Sequence, residues 1–432
     1  MTLFTKDKPG FARAGRVVQK MRIEFSPPDI SEQEIAEVIQ CLRSGWITTG
    51  ERTGRLEKEI ARQCGASRAA CVSSATAALE LTLRLLGIGP GDEVVTSAYT
   101  YSASAAVIHH VGAKIVLVDT AKDSYEMDIG RLADAITEKT KAIIPVDIGG
   151  VMCDYQRIFH VVNEKSNLFQ PSGNKLQRLF RRPVVLADAA HSFGARYEGL
   201  SSGNAADFSC FSFHAVKNLT TAEGGAILWR ERPGLDDGQI YKELMLLALH
   251  GQTKDALSKL MLGAWEYDIV IPGYKYNMTD ILASLGLAQL HRFGALMARR
   301  KELIGIYDRI LSPVRELQCL DHFQPRRPGN GHLYLTRVHG MDEARRDEMI
   351  RRLAEQGIAT NVHFKPLPLF TAYRNMGFDI AEYPNAYAQY ANEITLPMHT
   401  LLTDQQAIYV AETFRRILLY GMAEAPVMMR IG

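Results

Sequence analysis

Two residues in this chain have the type and surroundings needed for chemistry on a carbonyl. The first is Lys217, within SCFSFHAVKNLTTAEGG (209–225). Apolar residues precede it, and small residues and glycines follow. A lysine held in such a loop is partly desolvated, which lowers its pKa and keeps some amine neutral for nucleophilic attack. Most lysines in turns are nevertheless plain surface residues. The second is Asp188, at the end of the apolar run in PVVLADAAH (183–191). A carboxylate at the C-terminal end of a buried strand faces the crevice where α/β sheets bind ligands. The same residue could equally cap a helix.

Two further segments add binding capacity. In VSSATAAL (72–79) a strand runs through small residues into a helix. The first N–H groups of a helix lack internal partners and, with the helix dipole, make an anion site. Ser and Thr are also ordinary helix caps. In SAYTYS (97–102), Tyr99 and Tyr101 follow another strand, where a ring could stack on a flat ligand or simply be half-buried. Each segment alone is weak. Together they supply a phosphate cradle, an aromatic platform, a strand-end acid and a loop lysine. These are the parts that hold pyridoxal 5′-phosphate: an amine to form an imine, and an acid to pair with the pyridinium nitrogen.

The elements that must position these residues alternate along the first two-thirds of the chain. Strands are expected at Ala69–Ser73, Glu93–Thr96, Lys114–Val118, Ala142–Val146, Val184–Ala187, Phe208–Phe213 and Gly225–Leu228. Several are continuously apolar, as strands buried on both faces are. The helix Thr76–Leu86 places Leu79, Leu83 and Leu86 on one face and ends at Gly87 and Pro90-Gly91. A long helix is expected at Asp280–Asp308, then a strand Tyr334–Val338, a helix Asp342–Glu355, a strand Thr360–Phe364 and a helix Asp404–Leu419. This reads as an α/β large domain (23–285) with a mainly parallel sheet flanked by helices, and a smaller α+β domain (286–432). Residues 1–22 read as an N-terminal extension. The first organised helix follows, with Ser31 and Glu34 spaced as a capping box. Residues 165–182 are polar and basic and read as a surface insertion.

Composition narrows the function classes. The 432 residues carry 50 Lys plus Arg against 48 Asp plus Glu, a formal net charge of +2. So even a balance gives no electrostatic footprint for nucleic acid. Basic runs such as Arg178, Arg181 and Arg182 read as solvated faces. The six cysteines form no CxxC pair and match no zinc spacing, so reduced thiols and no metal are expected. The N-terminus lacks the apolar segment of a signal peptide. The longest apolar candidate, Ala103–Val118, is interrupted by His109, His110 and Lys114. A cytoplasmic protein that does not span a membrane is expected.

SGWITTG (44–50), SSATAAL (73–79), GPGDEVVT (89–96), ADAAHSFGARYEG (187–199), FSFHAVKNLTTAEGGAI (211–227) and PGYKYNMTDI (272–281) resemble the DegT/DnrJ/EryC1/StrS family. These are pyridoxal-phosphate sugar aminotransferases of fold type I, and the resemblance runs from about residue 23 onward. GYKYNMTDI with SGWITTG is most similar to the branch that makes UDP-4-amino-4-deoxy-L-arabinose. The resemblance implies an amino transfer from L-glutamate to the C4 keto group of a nucleotide-linked sugar, a UDP-4-keto-pentose or a 4-keto-6-deoxyhexose. Such chemistry serves polysaccharide, lipopolysaccharide or antibiotic sugar synthesis. It further implies that Lys217 holds the cofactor as an imine and that Asp188 partners the pyridinium nitrogen. His191 would lie beside the ring hydroxyl, Ala75, Thr76 and Ser212 at the phosphate, and Tyr101 in the stacking position. Lys275 and Asn277 match a region reaching into a second subunit's site, which implies a homodimer; most members carry Asn where Lys275 stands. Thr48, Thr49 and His363 are candidate substrate residues. Two rivals are a pyridoxal-dependent sugar dehydratase, whose deoxygenating relatives replace the lysine by histidine, and a non-catalytic protein on the same fold. Lys217 counts against the first, and Lys217 with Asp188 against the second.

Overall fold

The computed structural model describes residues 22–254 and 265–421. All but one residue of the expected 1–22 extension, and residues 422–432 of the smaller domain, lie outside the described residues. Nine strands belong to the first part of the chain: β1 (Ala69–Val72), β2 (Glu93–Ser97), β3 (Lys114–Val118), β4 (Thr140–Ile144), β5 (Val184–Asp188), β6 (Arg196–Tyr197), β7 (Leu200–Ser201), β8 (Phe208–Ser212) and β9 (Gly225–Trp229). Seven form the main sheet in the order β1-β9-β8-β5-β4-β2-β3, while β6 and β7 make a separate hairpin. Strands β3, β2, β4, β5 and β8 are parallel, and β9 runs antiparallel to both β8 and β1.

The unbroken apolar runs have a direct cause. Along β5, Val184 and Leu186 enter one core while Val185 and Ala187 enter the other. Along β8, Phe208 and Cys210 face one side and Phe211 the other. Each fully buried large apolar side chain contributes about 1.5–3 kcal/mol, so both faces need cover. Helix Ala75–Leu85 covers the first face and the helices Glu51–Cys64 and Tyr155–Glu164 the second.

This topology brings distant segments to one edge. Because β1 is antiparallel to β9, and β9 to β8, β1 points the same way as the parallel set. The carboxyl ends of β1, β2, β4, β5 and β8 therefore converge, at Val72, Ser97, Ile144, Asp188 and Ser212.

The helix Asp280–Leu311 runs without a break through position 285. By length and composition it could cross a membrane, although Arg292, Arg299, Arg300 and Lys301 interrupt its apolar residues. Here it packs against the helices Glu32–Arg43, Glu51–Cys64 and Asp404–Tyr420, burying Leu287, Phe293, Leu303 and Tyr307. Beyond it, β10 (Leu317–Cys319), β11 (Tyr334–Val338) and β12 (Glu393–Leu396) form an antiparallel sheet.

Three expectations need correction. Thr360–Phe364 is not a strand: only Asn361 makes a bridge, to Thr395, and Pro366 stops any extension of pairing. The fourth strand starts and ends two residues earlier than Ala142–Val146. The segment 165–182, expected as a surface insertion, is mostly exposed but anchored to its neighbours. It holds the helix Lys175–Phe180, with Gln177, Phe180 and Arg182 buried. Asn174 Nδ2 donates to Leu85 O at 2.9 Å and Gln177 Nε2 to Leu86 O at 2.8 Å, so the segment caps the C-terminus of helix Ala75–Leu85. Arg182, expected on a solvated face, forms a two-pronged pair with Asp207 at 2.7 and 2.8 Å. The Ser31–Glu34 capping box is present as expected.

Candidate active site

A cavity of about 480 Å³ opens at the converged strand ends. Its walls bring together Ala75, Thr76, Tyr101, Asp188, His191, Ser212, Lys217 and His363. They arrive from several different elements. Ala75 and Thr76 open the helix after β1, Tyr101 follows β2, Asp188 ends β5, Ser212 ends β8, and Lys217 lies in the turn after it.

Lys217 has no carboxylate in ion-pair contact among the described residues. Burial lowers its pKa to about 8, and the nearby Asp188 charge opposes that shift. Asp188 is 5% exposed. Its Oδ2 accepts the Ser104 hydroxyl at 2.7 Å and its Oδ1 the Ala190 N–H at 3.2 Å. Burial raises its carboxyl pKa, while Ser104, the Ala190 N–H and the Lys217 charge pull it back. The Ser104 hydroxyl also lies 2.8 Å from that of Thr100, so a buried polar chain leads to the carboxylate.

The head of helix Ala75–Leu85 is built for an anion. Ser74 caps it by accepting the Ala77 N–H at 3.0 Å. The Ala75 and Thr76 N–H groups have no acceptor among the described residues, and both residues line the cavity. Unpaired N–H groups of this kind favour a phosphate. The fit to pyridoxal phosphate is therefore direct: an anion cradle, an inward-facing carboxylate and a neutralisable amine share one cavity of suitable size.

His191 is held in one tautomer. Gly149 N–H donates to its Nδ1 at 3.2 Å, so the neutral ring carries its proton on Nε2. Burial and the Lys217 charge keep it neutral, with a pKa well below the usual imidazole value. It packs on His332, centroids 4.4 Å apart, and stacks on Phe364 at 5.8 Å. His332 is likewise buried and neutral, held by Asn218 Oδ1 at 3.1 Å from Nδ1. Asn218 Nδ2 also donates to Asn330 O at 3.0 Å, and Asn330 Nδ2 to His191 O at 2.7 Å. The residue after Lys217 is thereby tied to both imidazoles.

Thr48, Thr49, Lys275 and Asn277 do not line this cavity. Asn277 Nδ2 donates to Thr49 Oγ1 at 2.6 Å, which donates to Met278 O at 2.5 Å. Thr49 and Asn277 thus meet near the start of helix Asp280–Leu311, where Thr48 O accepts the Asp280 N–H at 3.1 Å, while Lys275 bridges Leu249. Sequence reasoning did not identify Phe25, Ser26, Ser104, His332 or Phe364. Only Ser104 left a signal, since it lies one helical turn after Thr100.

The sheet, the strand-end carboxylate and the half-buried lysine at its carboxyl edge define a fold type I transferase that works with pyridoxal phosphate. Similarity to known proteins makes the assignment narrower. The sequence profile of the DegT/DnrJ/EryC1/StrS aminotransferase family matches residues 28–415, and the chain belongs to that family. The spore coat polysaccharide biosynthesis protein SpsC of Bacillus subtilis is 36% identical over 93% of this chain and 99% of that protein. The UDP-4-amino-4-deoxy-L-arabinose–oxoglutarate aminotransferase of Shewanella sediminis is 38% identical over 82% of this chain and 87% of that protein. A solved structure of the putative sugar aminotransferase Spr1654 from Streptococcus pneumoniae, in its PMP form, is 53% identical. It matches with a TM-score of 0.89 over 92% of this chain and 99% of that one. Its PLP form matches equally well, at 52% identity. The protein is an aminotransferase dependent on pyridoxal phosphate.

Proposed function

We propose that this aminotransferase moves an amino group from L-glutamate to the C4 keto group of a nucleotide-linked sugar, a UDP-4-keto-pentose or a 4-keto-6-deoxyhexose. It would act in the cytoplasm in the synthesis of a polysaccharide or related glycoside. The observation that carries this reading is the juxtaposition of Lys217 and Asp188 in one cavity. The relatives named above support the sugar substrate, and two of them concern polysaccharide or UDP-sugar chemistry by name.

Pyridoxal phosphate, when bound, supplies an aldehyde that takes up an amine and a ring that withdraws electrons. Lys217 is the anchoring amine. Once displaced by the amino donor, its Nζ is a neutral base at the cavity wall and removes the proton from the donor's α-carbon. Asp188 would pair with the ring nitrogen and favour its protonated form. Ser104, donating to Asp188 Oδ2, would hold the carboxylate in place for that contact. The Ala75 and Thr76 N–H groups and the Ser212 hydroxyl would hold the phosphate, Tyr101 would cover the ring, and the Nε2–H of His191 would be available to the ring hydroxyl. In the second half of the cycle Lys217 works in reverse, with the keto sugar as amine acceptor.

Two copies would complete the site. Lys275 and Asn277 lie outside their own cavity, as expected if they serve a neighbour, and Lys275 would add a positive charge beside the phosphate. Ile35, Ile39, Leu42 and Ile47 are 44%, 39%, 52% and 48% exposed, an apolar surface on and just after the helix Glu32–Arg43 that a second copy would cover. Thr48 and Thr49 lie beside this face.

Purified Lys217→Ala protein is expected to lose turnover and the absorbance of the cofactor–lysine linkage. Asp188→Asn is expected to keep its fold and lose most of its rate. Assaying a panel of UDP- and dTDP-linked 4-keto sugars with L-glutamate, and following 2-oxoglutarate, tests the substrate. No product from any of them would refute the sugar reading.

A further inference from the structure

His363 lines the cavity from the small domain, and its surroundings make a continuous chain back to a buried acid. Its Nδ1 lies 2.9 Å from Thr395 Oγ1. The Thr395 hydroxyl donates to Glu393 Oε1 at 2.6 Å. The backbone N–H of His363 donates to Glu393 Oε2 at 2.7 Å, and its carbonyl accepts from the Tyr99 hydroxyl at 2.7 Å. The ring stacks on Phe25 at 5.7 Å. Its Nε2 has no hydrogen-bond partner among the described residues.

A hydroxyl has one proton to give. While Glu393 is ionised, Thr395 gives that proton to the carboxylate and so accepts from His363 Nδ1–H. Nε2 then offers a lone pair. When Glu393 takes up a proton, every bond in the chain reverses. The acid donates to Thr395, Thr395 donates to Nδ1, and Nε2 carries the imidazole's proton. The exchange balances by one route: a proton arrives at Nε2, Nδ1–H passes to Thr395, and the Thr395 proton passes to Glu393. The imidazole is neutral at both ends of the exchange, in keeping with burial, which lowers its pKa to about 3.

We propose that Glu393 and Thr395 are positioning residues that let His363 present either an acceptor or a donor to the cavity. One imidazole can then receive the hydroxyl of the sugar in one half-reaction and the α-carboxylate of the amino donor in the other. This rests on the transfer proposed above, which requires one cavity to accept a hydroxyl-rich sugar and an anionic amino acid in turn. The groups facing Glu393 are Arg337 from β11, Arg346 from the helix Glu343–Glu355, and the hydroxyls of Tyr99 and Tyr125. Burial raises the Glu393 carboxyl to about 8, against the pull of Thr395, the His363 N–H and the two arginines. Both states are therefore accessible near neutrality. The donor state of His363 prevails below this value and the acceptor state above it.

The test uses holoenzyme labelled with ¹⁵N-histidine, as wild type, Thr395→Val, Thr395→Ser and Glu393→Gln. Imidazole ¹⁵N shifts read the tautomer of His363 without any turnover. Wild type and Thr395→Ser should move the proton from Nε2 to Nδ1 as pH rises through about 8, and Thr395→Val and Glu393→Gln should not. In parallel, kcat/KM for L-glutamate relative to that for the keto sugar should fall by about tenfold per pH unit across this range in wild type, beyond the slope left in Thr395→Val. Subtracting the variant removes the titration of Lys217, which it shares. A His363 tautomer that does not change with pH overturns the relay, whether or not the enzyme aminates a sugar. A tautomer that changes while the two substrates keep parallel pH slopes overturns the two-ligand role. Sugar amination that fails at every pH, with tautomer exchange intact, refutes the proposed function and with it the ligand assignment.

Discussion

Gly225 lies directly against Ser74: a Cβ at position 225 would stand 2.5 Å from the Ser74 carbonyl carbon and 2.7 Å from the Ala75 nitrogen. Strand β9 and the head of the anion-binding helix are in contact with no room for a side chain. Gly225→Ala should therefore displace Ser74 and Ala75 rather than be absorbed by a flexible neighbour. A loss of at least about tenfold in cofactor affinity is expected, equivalent to about 1.4 kcal/mol. Titrating apoenzyme with pyridoxal phosphate and following absorbance measures it. Unchanged affinity would show that the helix head does not hold the phosphate.

Ser104 supplies the only side-chain hydrogen bond to Asp188 among the described residues. Ser104→Ala removes a donor from a buried carboxylate, a loss of about 1–3 kcal/mol in its ionised form. The Asp188 pKa should rise further. The rate should fall by about tenfold or more, with the largest deficit at low pH, where the acid is most easily neutralised. Cofactor content should stay near that of wild type. A pH–rate profile superimposable on that of wild type would remove Ser104 from the mechanism.

If Lys275 and Asn277 serve the neighbour's cavity, two inactive variants can repair each other. In a hybrid of Lys217→Ala and Lys275→Ala subunits, one of the two sites contains both lysines. Mixing the two proteins under conditions of subunit exchange should restore activity that neither has alone. No gain on mixing, with exchange verified, would contradict a shared site.

Away from the cavity, Glu57 is a buried acid that accepts the Cys71 N–H at 2.9 Å and the Tyr241 hydroxyl at 2.9 Å. Burial raises its pKa to about 7, with those bonds and Arg68 opposing. An acid raised on folding binds its proton more tightly in the folded state. Its contribution to stability is full below the ordinary value near 4.5 and is lost as pH rises to about 7. Glu57→Gln can keep the Cys71 N–H on its oxygen and reverse the Tyr241 contact, its amide donating to the phenol oxygen, without the charge. The variant should gain on the order of 1–3 kcal/mol over wild type above that range and little below it. Thermal unfolding of the two proteins at acid and alkaline pH gives the comparison.

The sheet was readable because its strands are buried on both faces, which leaves runs such as Val184–Ala187 without polar interruption. The chain beyond helix Asp280–Leu311 was less readable. Strands β10 and β12 are three and four residues long, too short for a periodic signal. Thr360–Phe364 has strand-like residues yet finds one bridging partner, because pairing depends on the neighbouring strand rather than on propensity. In the cavity, Lys217 and Asp188 were legible through their local context. His332, Asn218, Asn330, Glu393 and Thr395 were not. Their hydrogen bonds join segments far apart in the chain, and no local spacing encodes such a meeting.

The cavity draws its walls from the ends of five strands scattered between Val72 and Ser212, with His332 and His363 added from the far end of the chain. The proposed cofactor contacts span Ala75 to Lys217, and the cavity is closed only once His332 and His363 are in place. A nascent or partly unfolded chain would thus bind the vitamin-derived group poorly, and the yellow colour of a preparation would count molecules whose assembly has run to completion.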